Sequence, residues 1–322
     1  MRRRVFLIAG AGLLAGCSNS SAQNHPSPSG PSSAPPSSAP PSSAPPPSGT
    51  PSSDTPSSAA PSVTTPPTVT SPAPSTSPTV GLPAVRSWAP GPGEIEPEVK
   101  RLAVAAVVKL LQPNGARAVV EVIDAQYGGI LSDSASVLVP CRVYSIRANR
   151  LISGGTTVDV RLSRSPQGTW RVTATHPAQP GAPVASLSAA ARQVLASEQI
   201  SLPPASAADI RSGQVHDSVL TTMLELAKTY RIGISVIRSG HPIDVFGTDR
   251  PSDHPRGRAF DTWQINGRAV VSPSTPRSLV TSYMRTAESL GSYNVGGPYQ
   301  LSGTAFFSDR THHDHVHAGF RS

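Results

Sequence analysis

Ser252-Asp253-His254-Pro255-Arg256-Gly257-Arg258-Ala259-Phe260-Asp261 is the stretch on which the reading of the C-terminal half turns. Pro255 and Gly257 break any regular run and set His254 in a loop. Arg258 to Ile265 then predicts a strand, closed by the hairpin turn Asn266-Gly267. A histidine in a loop is thus followed by an aspartate on the adjoining strand. Most of the nine histidines lie from His241 onward, although only 14% of the chain is charged. The last of them stand in His312-His313-Asp314-His315-Val316-His317, followed by Ala318-Gly319-Phe320. Strand alternation there puts His315 and His317 on one face.

Clustered His and Asp of this kind suit a metal. A catalytic zinc takes three protein ligands and leaves a further place for water. His254, Asp261 and His317, drawn from three segments, make such an open set for one Zn2+ per chain. Chemistry at that position is Lewis-acid chemistry, polarising a carbonyl and acidifying a water.

Ser252, His254, Gly257, Ala259 and Asp261, with His315 and His317 far downstream, resemble the pattern Ser-x-His-x-x-Gly-x-Ala-x-Asp and His-x-His of the zinc D-alanyl-D-alanine (LAS) metallopeptidases. That group includes carboxypeptidases, vancomycin-resistance-type dipeptidases, penicillin-insensitive murein endopeptidases and the hedgehog signalling domain. The resemblance covers residues 236–320. It implies His254, Asp261 and His317 as zinc ligands and His315 as the histidine that stabilises an oxyanion. The dipeptidase branch has a general-base Glu where this chain has Asp314, one methylene shorter, with His313 or His315 as alternatives. Upstream, Ser239-Gly240-His241-Pro242 puts Pro242 where many members have an arginine that grips a substrate carboxylate; Arg238 or Arg250 would have to substitute. Trp263, beyond Asp261 on the same strand, shapes a pocket or belongs to the core. Ser252 organises the loop rather than attacking, His312 reads as an exposed residue, and His241 stays open. The resemblance implies an α+β fold with helices packed on an antiparallel sheet. The implied activity is zinc-dependent hydrolysis of peptide bonds in peptidoglycan stem or cross-link peptides. The alternative is a metal-containing wall-binding module without turnover, as hedgehog relatives show on this scaffold.

Outward from the motif, helices are predicted at Ser186–Ser197, His216–Tyr230 and Pro276–Leu290, with a strand at Ile232–Ile237. They give an α+β peptidase-like domain over 184–322, preceded by a linker at Pro177–Pro183. Residues 85–180 read as a smaller α+β accessory domain. It begins with a helix over Glu94–Gln112, stopped by Pro113-Asn114-Gly115. Strands follow at Ala118–Ile123, Ser136–Tyr144, Thr156–Leu162 and Thr169–Thr175, the last two joined by the turn Ser165-Pro166-Gln167-Gly168. No catalytic constellation stands out in this part, so the default reading is a spacer or interaction domain. Cys141, in an apolar run, reads as a small buried hydrophobe.

Residues 17–84 are rich in Ser, Pro, Thr and Ala and have too little apolar surface to offset the entropy of folding. They read as a disordered, extended linker with an upper reach of roughly 200 Å. Residues 1–16 read as a signal peptide, with Arg2, Arg3 and Arg4 before a short apolar run. Leu14-Ala15-Gly16-Cys17 matches a lipobox, so Cys17 is the expected lipidation site. The lipid would anchor the chain to the outer face of the cytoplasmic membrane. The match of Arg3-Arg4-Val5-Phe6-Leu7 to a twin-arginine signal is partial. Net charge is +8, but without a basic stripe it does not point to nucleic acid. Anionic wall polymers are the more natural partner.

Overall fold

Apolar residues three and four apart make the first helix, α1 (Pro97–Leu111), which buries Val99, Ala103, Val104 and Val107 on one side. Pro97 at its start loses nothing, because the first helical N–H groups have no intrahelical partner. The computed structural model describes residues 80–112 and 117–322. The expected signal peptide, Cys17, the linker up to residue 79 and the Pro113-Asn114-Gly115 stop lie outside the described residues, which all fall in one compact unit.

α1 lies on an antiparallel sheet of β1 (Ala118–Val122), β2 (Gln126–Ile130), β3 (Ser134–Arg147), β4 (Arg150–Arg164) and β5 (Trp170–Pro177). The order is β1-β3-β4-β5, and β2 also pairs with β3. β1 and β2 share one edge of β3, and Pro140 marks the gap between them. Its carbonyl takes the last bond from the β1 side, from Ile123 N–H at 2.9 Å. A proline has no N–H to give a neighbouring strand there. Val99, Val107, Tyr127, Val137, Val139, Val158 and Val160 fill the core between helix and sheet. The turn Ser165–Gly168 joins β4 to β5, with Gly168 N–H on Ser165 O at 2.8 Å.

The C-terminal half has its own apolar cluster. Its strands are β6 (Ile200–Ser201), β7 (Ile232–Val236), β8 (Ala259–Ile265), β9 (Arg268–Ala269), β10 (Asn294–Gly296), β11 (Phe306–Phe307) and β12 (Val316–Gly319). The order is β11-β10-β12-β8-β7-β6, with β9 on β8. The helices are α2 (Ala189–Ala196), α3 (Pro204–Arg211), α4 (Asp217–Ala227) and α5 (Arg277–Ser289). Leu220, Met223 and Leu226 of α4 and Val280, Tyr283 and Met284 of α5 share a core with Ile234, Phe260, Val316 and Ala318. Each such side chain, fully buried, contributes about 1.5–3 kcal/mol.

The fold is α+β, but this sheet is mixed rather than antiparallel. β6 pairs with β7 and β10 with β11 in parallel. The parallel partners β6 and β11 are two-residue pieces, too short to carry a period. α3 and β2 are further elements that the sequence patterning did not disclose. α3 packs on both β3 and β7, so it bridges the two halves.

Alternation along β8 and β12 decides where the polar groups go. Phe260, Val316 and Ala318 face the helices, which sends Asp261 and His317 to the opposite face. The register places His317 directly across from Asp261. The sheet of the N-terminal half covers that second face. No described helix is long and apolar enough to cross a membrane.

Candidate metal centre

The loop before β8 is built around its short residues. Ser252 N–H donates to Ile243 O at 3.0 Å, and Ser252 Oγ accepts from His254 N–H at 3.3 Å. His254 opens a single 3-10 turn, His254–Arg256, that ends at Gly257 with φ of 70°. A side chain at Gly257 would put Cβ 1.9 Å from Gln214 O. Left-handed backbone and lack of room together require glycine there.

This turn buries His254 to 1% exposure. Its Nδ1–H donates to Ile237 O at 2.7 Å, since a carbonyl can only accept. With Nδ1 turned to that carbonyl, Nε2 points inward. Nε2 lies 3.2 Å from Asp261 Oδ1 and 3.1 Å from His317 Nδ1, and the third side of the triangle, His317 Nδ1 to Asp261 Oδ1, is 3.0 Å. Ligands at about 2.0–2.1 Å around a tetrahedral zinc sit roughly 3.3 Å apart. The three sides fall about 0.1–0.3 Å short of that spacing. Two nitrogens and a carboxylate oxygen crowded so closely need a proton or a cation among them. Burial pushes His317 down to about 4 despite its bond to Asp261, so its imidazole is neutral at pH 7. Burial works against charge on Asp261 as well, but His254 and His315 beside it hold its carboxyl well below the usual carboxylate range.

His241 also stands within reach of His254 and Asp261, and these three form a group that could hold a metal ion. The imidazole of His241, however, stacks on that of His254, with centroids 4.1 Å apart and planes 16° from parallel. Lone pairs of stacked rings lie in parallel planes and do not converge. His317, tilted 57° from His254, is the better third donor. His241 Nδ1–H donates to Pro242 O at 2.9 Å.

The triangle lies in a cavity of about 700 Å³. Arg250, Arg256 and Arg310 supply positive charge to its wall; Phe246, Phe307 and Tyr293 supply aromatic surface. Two residues expected beside it lie elsewhere. Arg238 lines a separate cavity of about 360 Å³, its guanidinium 3.7 Å from the buried Asp209. Trp263 faces the space left by Gly233 and lines neither cavity. The register of β7 and β8 shifts there, with Gly233 opposite Gln264 and Ile234 opposite Thr262. Trp263 is left without a partner, and the alternation with Asp261 fails.

Asp314 also differs from its expected position. It does not line the cavity. Its Oδ2 accepts from Lys100 Nζ at 2.6 Å and from Tyr127 N–H at 3.1 Å. Its Oδ1 accepts from His315 Nδ1–H at 2.6 Å. Burial opposes its charge, yet Lys100 and His315 hold the carboxyl far below the usual range. A carboxylate so fully engaged is a poor proton acceptor. His315 is the group it presents: Nε2 stands 3.8 Å from Asp261 Oδ1 and the ring lines the cavity. Burial lowers His315, but the carboxylates of Asp261 and Asp314 outweigh it and raise the pKa. His313 is occupied on both nitrogens, by Arg310 O at 2.8 Å and Ile95 N–H at 3.3 Å.

Gln126, Lys100 and Asp309 in this region had no reading from the sequence, and His312, expected to be exposed, is half-buried. Gln126 donates to Asp261 Oδ2 at 2.6 Å. Lys100 is fully buried and pairs with both Asp314 and Glu94. His312 lines the cavity, and its Nδ1 binds Asp309 at 2.8 Å. Burial opposes the charge of Asp309, but the bond to His312 brings its carboxyl down to about 2. One signal for Lys100 was present: it continues the stripe of Ala103, Val104 and Val107, where a charge needs a buried partner. Comparison with family models, curated proteins and solved structures finds no match to this chain.

Proposed function

We propose that the chain is a zinc-dependent peptidase acting on peptide bonds of peptidoglycan, on a scaffold related to the D-Ala-D-Ala peptidases and the hedgehog domain. The observation that carries this reading is the triangle of His254 Nε2, Asp261 Oδ1 and His317 Nδ1, with sides of 3.0–3.2 Å, at the wall of an open cavity. These three residues would hold the ion, and a zinc ion bound there supplies Lewis-acid polarisation of the scissile carbonyl and acidification of water. The protein residues do the rest. His315 takes or gives a proton at Nε2, and Asp314 keeps its Nδ1 protonated and its ring aimed. Arg250 and Arg256 offer cationic contacts to an acidic peptide, with Arg250 in place of the arginine that Pro242 replaces. Lipid anchoring through Cys17 and an extended linker would place this site in the cell envelope, against its substrate.

A second reading is supported by the tied-up carboxylate of Asp314: a zinc-bearing module that binds wall peptides without cutting them. Zinc-loaded protein incubated with purified peptidoglycan, followed by mass spectrometry of soluble muropeptides, separates the two. New peptide termini are expected from the wild type, together with about one zinc per chain. His315→Ala should retain zinc and lose about 10²–10⁴ in kcat, the range of a general acid–base group. Wall binding without any released peptide sinks the peptidase and leaves the module.

A further inference from the structure

The N-terminal half does more than space the site from the membrane. We propose that Gln126, on β2, is a positioning residue for Asp261, fixing this aspartate as a ligand through one oxygen only. This rests on the metal reading of the triangle given above.

Gln126 is fully buried, in a chain segment far from the motif. Its Nε2 donates to Asp261 Oδ2 at 2.6 Å. The orientation of the amide is dictated by its neighbours: a carboxylate only accepts, so the NH2 group must face it. On its other side Gln126 Oε1 accepts from Ser235 Oγ, and that hydroxyl also lies 3.2 Å from Asp261 O. The Gln126 amide and the Ser235 hydroxyl thus reach from the Asp261 carboxylate back to the Asp261 main-chain carbonyl, linking the two sheets. With Oδ2 held by Gln126, Oδ1 alone is left for the triangle with His254 and His317. The neighbouring residue on β2 works in parallel, since Tyr127 N–H holds Asp314 Oδ2 at 3.1 Å. One five-residue strand therefore touches both acids of the site. Partners of metal-binding carboxylates set ligand orientation and basicity, and here that partner comes from the half without ligands of its own.

The test uses the full chain and the metal alone. Zinc affinity is measured by competition with a chromophoric chelator, and coordination by the visible spectrum of the cobalt-substituted protein. Gln126→Met, an unbranched replacement of similar shape, should weaken zinc binding about 10–100-fold. Once Oδ2 is free, Asp261 can bind through both oxygens, and the intense bands of four-coordinate cobalt should fade. Ser235→Ala, which removes only the far anchor of the amide, should produce a smaller loss in the same direction. A purely structural Gln126 would lower the unfolding midpoint of the metal-free protein and leave the cobalt spectrum of the folded fraction alone. Unchanged affinity and spectrum in both variants overturn the proposal while the metal reading stands. A wild-type chain that binds no zinc overturns both. Zinc binding without peptide release removes the peptidase and leaves Gln126 in its role.

Discussion

Two buried polar clusters, made from the same kinds of side chain, meet around β12, and they have opposite needs. His254, Asp261 and His317 aim lone pairs at one another across 3.0–3.2 Å. Glu94, His313 and Asp314 have ligand atoms within 4.8 Å of one another and form the second group whose atoms could hold a metal ion. In that second cluster Lys100 Nζ already binds both carboxylates, and His313 uses each of its nitrogens on the backbone. Its positive charge is covalently supplied. The triangle has no ammonium and no guanidinium among its partners, and its three atoms need a proton or a cation among them. Proximity of His, Asp and Glu does not by itself define a metal site. What matters is whether the protein has already filled the position.

The largest effect that tests this contrast is on folding. Lys100→Met leaves Glu94 and Asp314 buried, side by side and without a counter-charge. Breaking a buried pair from one side costs about 3–5 kcal/mol, to be read from urea unfolding of the zinc-free protein. Burial alone would lower the pKa of Lys100, but Asp314 and Glu94 raise it, so the ammonium is present throughout the accessible pH range. A loss below about 1 kcal/mol, the worth of an exposed pair, would mean that the cluster opens to solvent and the contrast is false.

A smaller effect belongs to the triangle. Zinc at 100 times its Kd should stabilise the wild type by about 2.7 kcal/mol through binding to the folded state alone. Asp261→Ala should abolish that gain. Glu94→Gln should leave both the gain and the stoichiometry of one ion per chain intact. Two zinc ions per chain, with one lost in Glu94→Gln, would show that Lys100 does not close the second cluster.

These predictions rest unevenly on what the sequence discloses. His254 and Asp261 were legible because a turn and the start of a strand set their separation locally, and Gly257 marks the turn. His317 was legible through alternation beside His315. The role of Asp314 was not, because a single position in a motif does not say which way a carboxylate turns, and Lys100 turns it inward from a helix more than 200 residues away. β2 was invisible for a local reason: Gln126-Tyr127-Gly128-Gly129-Ile130 has two glycines and no alternation, and all five residues are buried. The glycines are needed for closeness. A side chain at Gly129 would place Cβ 2.1 Å from Phe246 Cβ in the cavity wall. Trp263 shows the converse failure, where alternation was assumed and a register shift interrupted it.

The smallest effect concerns Asp124, in the link between β1 and β2 and near the closed cluster. Burial, together with the charges of Asp314 and Glu94, pushes its carboxyl up to about 7 against the pull of Lys100. One ammonium thus serves three acids, and the third holds its proton up to about pH 7. The sign follows from the direction of the shift. Asp124 ordinarily titrates at 3.8, so between about pH 4 and 7 the folded chain holds a proton that the unfolded chain has released. In that window this group makes stability fall as pH rises, and above 7 its contribution is flat. Asp124 keeps partial contact with solvent, which limits the effect to ~1 kcal/mol or less. Asp124→Asn removes the titrating group while keeping its shape. The difference in unfolding free energy between variant and wild type should therefore grow from pH 4 to 7 in favour of the variant. Parallel curves would mean that Asp124 is ionised beside Lys100, and that one ammonium leaves the closed cluster with an uncompensated negative charge.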